Sequence, residues 1–373
     1  YVAHTTGADT AYFNPAGMSF MDERRYFEGG LTLVHLPSIS YTSLIPPLSG
    51  ESKKENIVVP FGHYVGKPIG DFRWGVSLVV PGGLTKRWET PYQKAYSQEF
   101  TLKNLELNPS LSYKVNDSLS IGGGLRMVYS EGVVRSDASD TEMPVSRKLK
   151  GDCVAFGYNL ALLYKPTDDI NLAATYRSKI SLDEKGDATL GFMGSSEKYK
   201  GSVTVPLPAA LVLGASKTWQ DNFTLEVNYE RTFWSAYKKL DFNYDRPIHP
   251  LLIPSFDDPQ PKKWKDSNTF RIGATWAMDN GITWMMGYSI DKTPVNKKHI
   301  NFELPDSDAK IYSMGFSYQA TENLSWGMAF LYDDKKATSL KPGEVSNHAV
   351  LSNGGKFDDG GAFLTTIGVA YAY

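Results

Sequence analysis

The sequence predicts an all-β protein, a 14-stranded antiparallel transmembrane β-barrel with a short N-terminal hatch lying inside it as a plug. Three observations predict this. The chain closes on Gly361 to Tyr373, where Phe363, Thr365, Ile367, Val369, Tyr371 and Tyr373 share one parity and smaller residues take the other. A last alternating strand that stops on an aromatic residue suits a barrel wall, where only every second residue meets lipid. Six short turns rich in Asn, Asp and Gly recur roughly 40–60 residues apart, enough for two strands of about 10 residues and an outer loop. No apolar run approaches the length of about 18 residues that a transmembrane helix needs, while 22 Tyr, 18 Phe and 8 Trp supply the interfacial girdles of a barrel.

In chain order, residues 1 to 22 carry no strand pattern. Thr5-Thr6-Gly7-Ala8-Asp9-Thr10 and Asn14-Pro15-Ala16-Gly17 read as compact loop or short helix, and this stretch is expected to fold back as the hatch. The opening Tyr1-Val2-Ala3-His4 is not a cleavable leader, which suggests a processed chain. Residues 23 to 373 are then the barrel, beginning with a strand from Arg24 to Leu36. Period-2 alternation marks further strands. Phe72, Trp74, Val76, Leu78 and Val80 form one apolar row, and Leu119 to Tyr129 a second. Phe270 to Met278, Ile282 to Ile290, Tyr312 to Tyr318 and Leu324 to Tyr332 repeat the pattern. The opposite parity is polar, with Arg73, Arg126, Arg177, Glu226, Asn228, Glu230 and Arg271.

The turns read 67–71, 116–118, 167–169, 220–222, 279–281 and 321–323. Their Asn, Asp and Gly residues tolerate left-handed backbone angles. With both chain ends on the short-turn side, six turns leave seven hairpins and about 14 strands, an even number as single-chain bacterial barrels require. The longer polar segments Glu131 to Lys150, Asp183 to Lys200, Arg246 to Ser267 and Asp333 to Gly360 are expected as outer loops. Leu251, Leu252, Ile253 and Phe256 within one of them either pack inside the loop or offer a landing site for an apolar ligand.

Pro81-Gly82-Gly83 interrupts an otherwise apolar strand. Proline donates no ladder hydrogen bond and glycine permits a bend, so pairing is expected to break there. The break lies either in the rim, where it costs little, or in the wall, where each unsatisfied group costs several kcal/mol. In the wall it needs a partner, and Asn14 of the hatch is a candidate.

Composition excludes several functions. A net charge of −2 and a pI near 6.4 leave no basic footprint for nucleic acid. The single cysteine, Cys153, allows no internal disulfide. The six histidines show no metal-ligand spacing, no Gly-x-Ser-x-Gly elbow occurs, and no helix follows Gly122-Gly123-Gly124 to make a phosphate cradle. No enzyme, cofactor or metal is expected.

Several segments together resemble one family. Tyr12-Phe13-Asn14-Pro15-Ala16-Gly17-Met18 is similar to the Asn-Pro-Ala hatch motif of the FadL family, outer-membrane channels for long-chain fatty acids and hydrocarbons. Pro81-Gly82-Gly83-Leu84-Thr85 resembles that family's third-strand kink. Leu107 to Lys114, Gly157 to Thr167, Tyr176 to Ile180 and Leu207 to Ala215 resemble later strands. The order and spacing of these matches cover nearly the whole chain. The resemblance implies a monomeric barrel in the outer membrane of a Gram-negative bacterium, set in lipid and lipopolysaccharide. It implies passive uptake of a hydrophobic molecule that enters from the outer loops, occupies an apolar pocket and leaves sideways through a wall gap. Asn14, Pro15 and Ala16 would be the hatch motif that contacts the kink, and Pro81, Gly82 and Gly83 the kink. Tyr12, Phe13 and Met18, with Leu251, Leu252, Ile253 and Phe256, would contact ligand.

Two departures bear on this. Only 13 residues precede Asn14, fewer than is usual in the family, so the hatch is expected to be partial. The segment between Tyr129 and Cys153 is shorter than in the family's fatty-acid transporters, which brings in monoaromatic hydrocarbons beside long-chain fatty acids as expected cargo. The competing readings are a general porin for polar solutes and an adhesive or structural barrel.

Overall fold

The computed structural model describes residues 1–141, 144–346 and 348–373. It is a closed barrel of 14 antiparallel strands. They are β1 (Tyr26–Leu36), β2 (Glu55–Val65), β3 (Phe72–Val79 and, beyond an interruption, Gly83–Arg87), β4 (Glu99–Lys114) and β5 (Leu119–Asp137). Next come β6 (Val145–Thr167), β7 (Ile170–Arg177 and Ile180–Phe192), β8 (Ser195–Leu207 and Ala210–Trp219), β9 (Phe223–Thr232) and β10 (Ser267–Ala277). The wall ends with β11 (Ile282–Asp291), β12 (Ala309–Gln319), β13 (Leu324–Lys335) and β14 (Ala362–Ala372). β14 pairs with β1 from Tyr26↔Ala372 to His35↔Phe363, which closes the ring.

All six short turns fall where the sequence places them, on the side of the barrel that holds both chain ends. The apolar parity faces outward. Phe72, Trp74 and Leu78 are exposed while Arg73, Gly75 and Ser77 between them are buried. In water such a surface would be untenable; in a bilayer it is the expected face. Aromatic pairs line both edges of the apolar band, Phe72–Tyr113 at 4.8 Å near the short turns and Tyr332–Phe363 at 4.6 Å near the outer side.

The outer segments correct the reading from sequence. Glu131 to Lys150 and Asp183 to Lys200 are not mainly loops: β5, β6, β7 and β8 run on through them as long hairpins. Beyond the lipid both faces of a strand meet polar surroundings, so alternation fades without the strand ending. Arg246 to Ser267 holds a 3-10 turn, Pro250–Leu252, a short helix, Ile253–Phe256, and a two-residue strand, Gln260–Pro261, and Asp333 to Gly360 holds two further short strands. A seven-residue helix, Pro91–Ser97, between β3 and β4 has no counterpart in the sequence reading, although Pro91 sits at its first turn. These segments pack into a cap with two apolar cores, one around Trp88, Phe302 and Phe357, the other around Leu149, Leu240 and Phe256.

The N-terminal segment lies inside the barrel. It holds a single helical turn, Thr10–Phe13, and a 3-10 turn, Pro15–Phe20. Inward glycines make room for it: a Cβ on Gly75 would stand 2.7 Å from the Ala11 methyl, and one on Gly122 2.6 Å from the Ala16 nitrogen. Wall hydroxyls then bind its carbonyls, Ser110 Oγ to Ala11 O at 3.0 Å and Ser120 Oγ to Ala16 O at 2.7 Å. Arg73 donates to the carbonyls of Met18, Met21 and Arg24 and to that of Gly66 in the β2–β3 turn.

Candidate functional site

The wall is interrupted at β3. Val79 pairs with Glu106 and Gly83 with Lys103, so Val80, Pro81 and Gly82 stand opposite only Asn104 and Leu105. The extra residue pushes the strand out of register, as a bulge does. On the other side, β2 pairs with β3 only from Gly62↔Leu78 to Val65↔Gly75. From Phe61 up to Asn56, β2 pairs with β1 alone. The two sides meet again at the top, where Lys53 N donates to Arg87 O at 2.8 Å and Arg87 pairs with Glu55. Six residues of unpaired edge make a lapse roughly 20 Å tall. Pro60 sits on that edge, where its missing N–H costs no ladder bond. The sequence reading passed over it, though a proline inside a strand is itself an edge signal.

A second lapse is closed. β7 leaves β6 between Arg177↔Asn159 and Lys185↔Asp152. There Ile180 and Leu182 turn inward and are wholly buried against Leu102 and Val128. At the first lapse nothing lies within 4 Å of the point where a Gly82 side chain would begin.

A lumen cavity of about 620 Å3 borders the open lapse. Pro81 and Gly82 form one wall, Tyr12 and Phe13 of the N-terminal segment the floor, and Trp234, Trp264 and Leu304 reach in from the outer cap. The structure thus brings Tyr12 and Phe13 together with the kink. Tyr12 packs edge-on against Phe13, with ring centres 5.3 Å apart. Trp234 and Trp264 pack against each other at 4.9 Å. They were missed because both lie in irregular segments, where no periodicity marks a facing direction.

The cavity also carries charges, most of them paired. Arg126 makes two hydrogen bonds to Glu106, at 3.0 and 2.8 Å, and Arg177 reaches the same carboxylate at 3.3 Å. Arg177 also donates to Tyr12 O and covers the Tyr12 ring at 3.7 Å. Arg271 pairs with Glu230 at 2.7 Å, and Lys335 with Asp306 at 2.7 Å. Most of the charge is therefore compensated; Asp291, which also lines the cavity, accepts from Thr269 Oγ1 and has no ion-pair partner among the described residues. Glu106 is the hub of this network and is fully buried. Glu106→Gln is expected to cost roughly 3–5 kcal/mol, because it takes the counter-charge from the buried Arg126 guanidinium and from the half-buried Arg177; a lower urea midpoint for the purified barrel is the measure.

Other candidates lie elsewhere. Asn14 does not reach the kink backbone: its Nδ2 donates to Val2 O at 2.6 Å and its Oδ1 accepts from Ala16 N at 3.2 Å. The bend of its own segment consumes both groups. Pro15 and Ala16 lie against Gly122 of β5, not against Gly83. Gly83 itself is back in the ladder with β4. Met18 is buried with Ala8, Ala11 and Val65 beneath the cavity and does not line it. In the cap, Leu252 is core, Ile253 packs on that core and Leu251 is exposed on the outside. Phe256 lines a separate outer chamber of about 1030 Å3. Two cap segments, residues 260–264 and 302–304, stand between the chamber and the lumen cavity and present side chains to both.

An antiparallel barrel with a lipid-facing apolar belt, an occupied lumen and an internal cavity with aromatic side chains at its floor and roof defines an outer-membrane transport channel for hydrophobic substrates. The chain belongs to the family described as outer membrane protein transport protein (OMPP1/FadL/TodX), whose model matches residues 1–373. It is 24% identical to outer membrane protein P1 of Haemophilus influenzae, over 89% of this chain and 78% of that one. It is 25% identical to a long-chain fatty acid transport protein of Escherichia coli, over 89% and 82%. Among solved structures, a Pseudomonas aeruginosa FadL homologue superposes with a TM-score of 0.84 at 19% identity, covering 100% of this chain and 95% of that one. The Pseudomonas putida toluene transporter TodX gives 0.74 at 18%, covering 100% and 95%. Members of the family are channels, not enzymes.

Proposed function

We propose that this barrel takes up hydrophobic small molecules passively and releases them sideways. The molecule enters through the outer cap, binds in the lumen cavity above Tyr12 and Phe13, and leaves between β2 and β3. The observation that carries this reading is a shared border: Pro81 and Gly82 line the cavity and lie outside the strand ladders. Residues 1–22 act as the hatch, blocking the straight path to the short-turn side. A cavity of this size falls within the usual range for small-ligand sites. Transfer of apolar surface from water contributes roughly 25 cal/mol per Å2, so partition alone supplies the driving force. The names of relatives cover both fatty acids and toluene, and the largely charge-compensated lumen suits the uncharged body of either. The test is uptake of labelled toluene and oleate by cells that lack their own channel of this family and express this one. Faster uptake of these labels, with no gain for a hydrophilic sugar, is expected. Porin-sized conductance in planar bilayers would overturn the reading.

A further inference from the structure

The strands β5 to β8 carry the wall beyond the lipid as long hairpins, and the top of β4 runs beside them. Their outward parity changes character at one level. Leu105, Tyr129 and Val154 are neighbours across β4, β5 and β6 and are exposed, as the apolar belt requires. The next outward residues are Lys103, Glu131 and Asp152, with Lys185 of β7 opposite Asp152. Higher on the same parity a second row reads Glu99, Arg135, Lys148, Thr189 and Lys198. The two rows lie about 13 Å apart along the strands.

Charge on this face does not balance. Arg135 pairs with Glu99 at 3.3 Å, Lys150 with Glu131 at 3.1 Å, and Lys200 with Asp187. Lys103, Lys148, Lys185 and Lys198 are exposed, and among the described residues none has a carboxylate within ion-pair reach. Arg135 stands directly opposite Lys148, a pairing of like charges that weakens a sheet. Lys198 follows on the far side of Thr189. The open carboxylates here are Asp152, opposite Lys185, and Asp183, which accepts from Thr204 Oγ1 at 2.7 Å. The open cations thus outnumber the open acids, and they rise in two levels directly above exposed Leu105, Val154 and Phe156. Such a face suits an amphiphile with acyl chains on the belt and anionic groups at two heights. A phospholipid offers one phosphate level. Lipopolysaccharide, the lipid of the outer leaflet, carries phosphates on lipid A and further acid groups in the inner core above them.

We propose that the outward face of β4 to β8 is a docking site for a lipopolysaccharide molecule. Its lipid A phosphates would lie at Lys103 and Lys185, and its inner-core acid groups at Arg135, Lys148 and Lys198. The site depends on how the barrel stands in the membrane and not on the route that cargo takes. Native mass spectrometry of the purified full chain in uncharged detergent tests it, with EDTA present to remove divalent ions that would bridge through Asp152 and Asp183. The probes are deep-rough lipopolysaccharide, the same molecule stripped of its phosphates, and phosphatidylglycerol. The wild type is expected to hold deep-rough lipopolysaccharide at least about tenfold more tightly than either of the others. Lys103→Gln with Lys185→Gln, and Lys148→Gln with Lys198→Gln, should each weaken that binding by roughly tenfold, and all four together by more. Lys217→Gln with Lys310→Gln, which removes the same charge elsewhere on the barrel, should leave it unchanged. Heat-modifiable migration on gels confirms that each variant is folded. The proposal is overturned if the fourfold variant binds as the wild type does, or if the control pair weakens binding equally. It is also overturned if dephosphorylated lipid or phosphatidylglycerol binds as tightly as deep-rough lipopolysaccharide.

Discussion

Gly82→Tyr is expected to slow uptake of toluene and oleate roughly ten- to hundredfold while the barrel still folds and inserts. The position allows this combination. Its backbone does not occupy the left-handed region, and a Cβ there meets nothing within 4 Å. The fold should therefore lose no more than about 0.5 kcal/mol, as for other substitutions that touch no packed feature. The new ring would lie where Gly82 borders the lumen cavity and the lapse between β2 and β3. Lifting a seated aromatic side chain out of apolar contact costs about 1.5–3 kcal/mol, which slows passage roughly ten- to hundredfold. Heat-modifiable migration on gels checks folding, and initial uptake rates check transport. A variant that folds and transports at the wild-type rate removes the lateral route. Gly83 is the poorer site, since a Cβ there stands 3.3 Å from the Leu102 carbonyl.

Arg73→Met should have the other large effect, on the N-terminal segment. Arg73 is 2% exposed and binds four carbonyls, those of Gly66, Met18, Met21 and Arg24. It also lies over the Tyr26 ring at 5.5 Å. It therefore ties the exit of the inner segment to both the wall and the first strand. A hydrogen bond from a charged donor is worth about 1.5–3 kcal/mol, and buried acceptors left unpaired add to the loss. The bonds share one side chain and do not sum, so a loss of roughly 3–5 kcal/mol is expected. Two measurements follow: a lower urea midpoint, and brief conductance steps in planar bilayers as the segment loosens in the lumen. Lysine at this position should recover part of both, since it keeps a charge but loses the planar fork. A folded Arg73→Met barrel with silent bilayers would mean that the segment is held by its other contacts.

The turns were the most legible part of the chain because their chemistry is local. Asn116-Asp117-Ser118 and Asp279-Asn280-Gly281 reverse the chain by their own backbone preferences and side-chain bonds, whatever surrounds them. The lipid-facing rows were legible for a related reason, since one apolar medium imposes the same parity on every strand. The outer hairpins were not, because no medium sorts their two faces; residues 131–137 and 183–192 are strands that read as loop. The cavity was legible in half. Tyr12, Phe13, Pro81 and Gly82 stood out by motif, whereas Trp234 and Trp264 reach it from segments whose course depends on the whole cap.

The amino-acid sequence by itself determined the compartment, the strand number and the point where the wall would break. Period, turn chemistry and the backbone limits of proline and glycine act within a few residues and need no partner. Only the tertiary structure decided which break is open. Pro81-Gly82 leave the ladder, and Ser178 to Glu184 part from β6, residues 180–184 staying paired with β8. The second is filled by Ile180 and Leu182 from its own strand, whereas at the first nothing among the described residues lies within 4 Å of where a Gly82 side chain would begin. Filling depends on what stands across the lumen, and residues brought together by closing a ring have no signature in the order of the chain.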